Sequence, residues 1–130
     1  MSDYGSGASA KVTVIEQSLE SLDEFVYAES ADEVGLEPGD EEIIVSITKT
    51  FDWFITHAGA TDADETEYYL KIGDDETPHT DEPFGLYNDP FRFSPVIPVA
   101  KNIEAAYYAK LAAAAPGSVK YVAKIIGFKR

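Results

Sequence analysis

This chain contains no cysteine, so neither disulfides nor thiolate zinc centres can hold its fold. Long apolar runs are also missing, with nothing approaching the ~18 consecutive apolar residues of a membrane-spanning helix. The first ten residues lack both a basic start and an apolar stretch, which argues against a secretory signal. Positive charge is scarce. Ten Lys and Arg stand against 24 Asp and Glu, giving a net charge of −14. Such a surface repels phosphate and argues against non-specific nucleic-acid binding. Histidine occurs only twice and tryptophan once, so few side chains are available for metal or imidazole chemistry.

What is present is unevenly placed. Residues 1–90 carry 23 acids against Lys11, Lys49 and Lys71, a balance of −20, while residues 91–130 carry seven cations against Glu104, a balance of +6. A chain so divided cancels charge within its own fold or between neighbouring molecules. Its 130 residues fit one domain, and 45% apolar content supports an ordinary core.

Residues 1–10 are Gly, Ser, Ala and Asp with one Tyr, a composition that cannot offset its own ordering entropy. They read as an extended N-terminal arm ahead of a domain at 11–130, and an arm of this kind is ordered by a neighbouring subunit. Beyond it the dominant signal is alternation with period two, bounded by Gly, Pro and Asp clusters. In 42–49, Ile43, Val45 and Ile47 share a face opposite Ile44, Ser46 and Thr48. In 67–72, Tyr68, Leu70 and Ile72 lie opposite Glu67, Tyr69 and Lys71. In 119–126, Val119, Tyr121, Ala123 and Ile125 turn inward, leaving Lys120 and Lys124 exposed. Shorter runs at 11–16, 24–28, 51–58, 84–87 and 91–97 also read as strands, the last at a sheet edge because Pro95 and Pro98 interrupt it. This spacing predicts an all-β protein, a single β-sandwich of jelly-roll-like form.

Two segments fit more than one pattern. Residues 17–24 can form a short helical turn carrying Leu19 and Leu22. Residues 102–115 fit a helix by propensity, with Pro116-Gly117 as its stop. They fit a strand by context, because Ala-Ala-Pro-Gly-Ser leads into 119–126 as a hairpin would. The strand is the expectation.

Catalytic signals are weak. Pairs of carboxylates are unavoidable among 24 acids, and sequence does not show which have divergent pKa values. His57 ends the apolar run Phe51–His57 and reads as a partly buried or edge residue. His79 lies in the acidic loop 73–83, where Asp74, Asp75, Glu76, Asp81 and Glu82 offer oxygen ligands of the kind calcium takes. Their spacing matches no calcium-loop pattern; Asp62-Ala-Asp64 begins like an EF-hand but lacks its sixth-position glycine. Gly5-Ser-Gly-Ala-Ser9 is not a nucleophile elbow, and no phosphate-binding loop or dinucleotide fingerprint occurs. The expectation is therefore no catalytic residue, no metal and no cofactor.

Contact residues are easier to nominate. Seven Phe, eight Tyr and one Trp cluster at 51–54, 68–69, 84–93 and 107–108. Most belong in a sandwich core, but the loop 83–93 is the best candidate for exposed aromatic contact, through Phe84 and Tyr87. The tail ends in Phe128, Lys129 and Arg130, cations suited to an acidic face of the same or another subunit. Tyr4, Gly5, Ser6 and Gly7 complete the set, as the part of the arm that lies across a neighbour.

The last third resembles a recurring ending in tailed-phage structural proteins built on β-sandwiches. The likeness lies in Pro95-Val-Ile-Pro-Val-Ala-Lys-Asn-Ile-Glu-Ala-Ala-Tyr-Tyr-Ala-Lys-Leu111, then Ala115-Pro-Gly-Ser118, then Val119-Lys-Tyr-Val-Ala-Lys-Ile-Ile-Gly-Phe128. In such proteins a proline-rich lead-in and a strand of small and apolar residues pair, through a short turn, with a terminal strand ending Ile-Gly-aromatic. The Ala-rich run departs from their usual Ser, Thr and Gly. Decoration (cement) proteins of phage heads are similar in size, in lacking Cys and in having an N-terminal arm. The resemblance implies a non-enzymatic virion protein that binds the major capsid protein and copies of itself, as a trimer or other symmetric oligomer, without nucleic acid or membrane. Two rivals stand beside it. One is a carbohydrate- or receptor-binding sandwich using Trp53 or Tyr87; the other is an enzyme or accessory protein adapted to high salt.

Overall fold

The computed structural model describes residues 25–130. Expectations for the arm, for the strand at 11–16 and for the turn at 17–24 lie outside the described residues. Within them the chain forms eleven strands and no helix: β1 Phe25–Glu29, β2 Val34–Leu36, β3 Glu41–Thr48, β4 Trp53–Ala60, β5 Thr66–Ile72, β6 Asp75–Glu76, β7 Gly85–Leu86, β8 Asp89–Val99, β9 Glu104–Leu111, β10 Val119–Tyr121 and β11 Ala123–Lys129.

Five strands make one sheet in the order β1-β11-β4-β7-β8, with β4 also paired directly to β8; four make a second in the order β3-β9-β5-β6. A small β2–β10 ribbon stands apart from both. The main pairings are antiparallel and nested. β5–β6 is the innermost, then β4–β8, then β3–β9, with β1–β11 outermost. A long hairpin rolled so that successive pairs fall in alternate sheets is a jelly-roll sandwich, as the alternation predicts.

The two inner faces meet in one cluster. Val26, Trp53, Ile55, Val99 and Ile125 come from the first sheet, and Val45, Tyr68, Leu70, Tyr107 and Leu111 from the second. Buried hydroxyls are satisfied. Tyr68 donates to the Thr61 carbonyl at 2.8 Å, and the Thr66 and Tyr121 hydroxyls bond at 2.7 Å. Trp53 Nε1 is the one buried side-chain polar atom without a partner among the described residues.

The Ala-rich segment is a strand, β9, and it lies centrally between β3 and β5. Ala105 and Ala109 are fully buried beside large neighbours such as Tyr107 and Leu111, so packing overrides helix propensity. The hairpin expected to follow it does not form. β9 belongs to the second sheet and β11 to the first, so Ala112–Ser118 crosses between layers. The turn-linked pairing implied by the resemblance is corrected with it.

Face assignments hold for β5 and β11, but β3 departs. A bulge between Ile43 and Val45 buries the consecutive pair Ile44 and Val45, leaving Ile43 half-buried. A second bulge at Ile126/Gly127 gives β4 an extra residue, Thr56, against β11. Here Gly127 is required: a Cβ would run into the Phe54 carbonyl and the Trp53 ring. The proline-bearing strand β8 does lie at a sheet edge.

Candidate functional site

The outward side of the five-stranded sheet is built from alternate residues of β1, β11, β4 and β8. From β1 come Phe25, Tyr27 and Glu29; opposite them in register stand Phe128, Ile126 and Lys124 of β11. Phe54 and His57 of β4 follow, and then Pro98 and Arg92 of β8. Phe25 is 36% exposed, Tyr27 43% and Val96 37%, the last beside Pro98 on β8. Phe25 stacks along β1 on Tyr27 at 6.2 Å and meets Phe128 edge-on at 5.5 Å. Apolar side chains therefore run unbroken across three strands.

Charge on this side is sparse and local. The Lys124 ammonium lies 4.3 Å from the Tyr87 ring centre and 6.0 Å from that of Tyr27. The Tyr87 hydroxyl donates to Glu29, and that bond, more than burial, pushes its pKa up to about 12. Tyr27 is raised too, by burial and then by Glu29. His57 is lowered by burial and by the Arg92 charge across the strand, so it is neutral near pH 7. Among the described residues, Glu29 is thus the single carboxylate set against Lys124 and Arg92 on this side.

The outward side of the second sheet has the opposite character. Tyr69 points out, yet is only 4% exposed. Its ring is parallel to Tyr108 at 4.8 Å and to His79 at 3.9 Å, so the two must cover opposite faces. Its hydroxyl donates to Glu41 at 2.7 Å, and burial followed by that carboxylate raises its pKa well above the usual tyrosine value. His79 bonds Glu76 at 2.9 Å and Glu67 at 3.2 Å; the bond to Glu76 is the main reason its pKa is raised. The acidic loop is thereby fastened over the sheet. Beside it an acidic cleft of about 630 Å³ is lined by Asp62, Asp64, Glu65, Glu67, Asp81 and Glu82, with Lys110.

Of the nominated contact residues, the structure brings Tyr87 and Phe128 to the apolar side. Phe84 does not join them. It turns inward against Phe93 and Tyr107, and its backbone N–H donates to the Tyr107 hydroxyl at 2.6 Å. Lys129 lies at the strand end, 5.1 Å from the Phe51 ring centre, and exposed Arg130 is held by its backbone N–H to the Asp52 carbonyl. Tyr4, Gly5, Ser6 and Gly7 lie outside the described residues. Sequence reasoning missed Phe25, Tyr27, Phe54 and Ile126. The signal for Phe25, Tyr27 and Ile126 was present in the even spacing of 25–29 and 124–128, but which side of each strand faces outward depends on the layer it joins.

Other candidates resolve differently. Trp53 is fully buried, so it cannot stack on a sugar, and Lys124 occupies the Tyr87 ring. The Thr56 hydroxyl lies 3.3 Å from the Ile126 carbonyl and 2.9 Å from His57 Nδ1, where the direction of the bond follows the imidazole tautomer. Of the calcium candidates, Glu76 and His79 bond each other, and no group of three His, Asp or Glu among the described residues is arranged to hold a metal ion. No protein-family model matches the chain, and no curated protein matches its sequence.

Proposed function

We propose that this chain is a non-enzymatic virion structural protein, a jelly-roll that decorates and stabilises a phage capsid through multivalent surface contacts. The observation that carries this reading is the apolar outer side of the five-stranded sheet, which no element among the described residues covers. In a protein of net charge −14, the described residues of one broad side include a single carboxylate, Glu29, and set Phe25, Tyr27, Phe54, Ile126 and Phe128 across it. Contiguous exposed apolar surface of this kind marks an interaction site, and aromatic rings rimmed by a few charges match the anatomy of a protein interface.

The partners are the major capsid protein and further copies of this chain, with a symmetric trimer favoured. Symmetry multiplies individually weak contacts by raising effective concentration. The acidic side would then face solvent and keep particles apart. Binding to capsids lacking the chain, measured by co-sedimentation, tests the proposal. The double variant Tyr27→Asp/Ile126→Asp should remain folded by its thermal melt and lose at least about tenfold in binding. Undiminished binding by that variant, or no binding of the wild-type chain to capsids, would overturn it.

A further inference from the structure

Four of the ten Lys and Arg in this acidic chain, Lys49, Lys101, Lys129 and Arg130, gather at one end of the sandwich from segments distant in sequence. Lys49 follows β3, Lys101 follows β8, and Lys129 ends β11 with Arg130 after it. Hydrogen bonds tie these segments together. The Asn102 N–H donates to the Lys49 carbonyl at 2.7 Å, and the Arg130 N–H donates to the Asp52 carbonyl at 2.9 Å. The Asp52 carboxylate accepts the Lys101 N–H at 2.9 Å. The Lys49 and Lys129 ammonium groups lie 5.8 and 5.1 Å from the Phe51 ring centre, so one ring seats two cations. Lys101, Lys129 and Arg130 are exposed. Asp74 and Glu104 also reach this end, on its β5–β9 side.

The opposite end has the other sign. β4 leaves the cationic end at Trp53 and β9 leaves it at Glu104, and each runs eight residues, roughly 25 Å at ~3.3 Å per residue, to the acidic cleft. There Asp62, Asp64, Glu65 and Glu67 stand around Lys110, and the Ala112 N–H fastens the end of β9 to the Glu65 carbonyl at 2.8 Å. We propose that the cationic end of one molecule docks on the acidic end of a second copy, a head-to-tail contact between unlike surfaces. The partner follows from charge complementarity: exposed Lys and Arg take a carboxylate-rich surface, and the far end of this same chain presents one. Single exposed ion pairs contribute little, so the contact relies on several together. At ~0.1 M salt the Debye length is about 10 Å, so pairs at the contact are felt while more distant like charges are screened. A contact of this heterologous kind closes into a ring or continues as a filament, according to its rotation. It uses no part of the apolar side and stands independently of the capsid reading.

Charge exchange in the full-length protein, without capsids, tests the contact. Sedimentation velocity at ~0.1 M salt should show the wild-type chain associating as its concentration rises. At about 1 M salt, where the Debye length falls to ~3 Å, that association should weaken at least about tenfold. Lys129→Glu/Arg130→Glu and Asp62→Lys/Asp64→Lys should each remain folded by thermal melt and lose association at least about tenfold, because each sets like charges across the contact. An equimolar mixture of the two variants should associate again, since intact ends then meet intact ends and reversed ends meet reversed ones. A wild-type monomer at every concentration, unchanged association in either variant, or a mixture that fails to recover would overturn the proposal. Association indifferent to salt would overturn it too, because copies would then meet through apolar surface.

Discussion

On the outer side of β3, β9 and β5 the aromatic rings are stacked against one another and roofed by a loop; on the outer side of β1, β11 and β4 they stand open. Tyr69 and Tyr27 are both tyrosines on outward strand positions, yet one is 4% exposed and the other 43%. The difference lies in what surrounds them. Tyr69 has Tyr108 opposite it in register and His79 above, each nearly parallel to its ring. Tyr27 has Ile126 opposite it in register, Phe25 and Glu29 along its own strand and the Lys124 ammonium 6.0 Å from its ring centre. Among the described residues, the chain itself covers the first of these sides and not the second.

Substitutions that treat the two sides alike should separate them. Tyr69→Ala removes a covered ring, its bond to Glu41 and the seat of His79, and should cost about 3 kcal/mol in chemical denaturation. Phe25→Ala on the open side should cost under about 1 kcal/mol, because that ring is already partly in water. Equal losses would erase the distinction. A smaller effect tests charge. Lys110 lies in register between Glu41 and Glu67, so Lys110→Glu would set three carboxylates across adjacent strands and destabilise by about 1 kcal/mol. Added salt should recover much of that loss if the mechanism is electrostatic.

The smallest effect concerns pH. The His79 pKa is raised in the folded state, chiefly by its bond to Glu76. Its contribution is therefore complete below the ordinary histidine value of ~6.5 and is lost as pH rises through the raised value. Because the groups are exposed, less than about 1 kcal/mol is involved. Exchange of the Thr80 amide, which donates to the Tyr68 carbonyl across the loop, should quicken through that window beyond its intrinsic pH dependence. His79→Gln should remove the excess.

Much of the architecture was legible in the sequence because strands advertise themselves by alternation. Tyr68, Leu70, Tyr121, Ala123 and Ile125 are buried as their spacing predicts. What was not legible is what depends on layers. The bulge in β3 exchanges Ile43 for Ile44 in the core, and no local signal at 42–49 announces it. β9 was expected as a strand on the strength of a hairpin that does not exist; its true support comes from β3 and β5, distant in sequence. Phe84 read as a loop contact but packs inward, since Phe93 and Tyr107 lie close only once the sheets are stacked. The open side was the hardest to foresee, for exposure is a property of the neighbour that is missing.

The placement of β9 and β11 bears on how the uneven charge of the chain is blended. β9 lies between β3 and β5, and β11 between β1 and β4. Both come from the cationic stretch 91–130, whereas the four strands they join all belong to the acidic stretch before it. Each sheet therefore closes only when a cation-bearing ribbon enters between acid-bearing ones, so the fold itself interleaves the two signs that the sequence keeps apart.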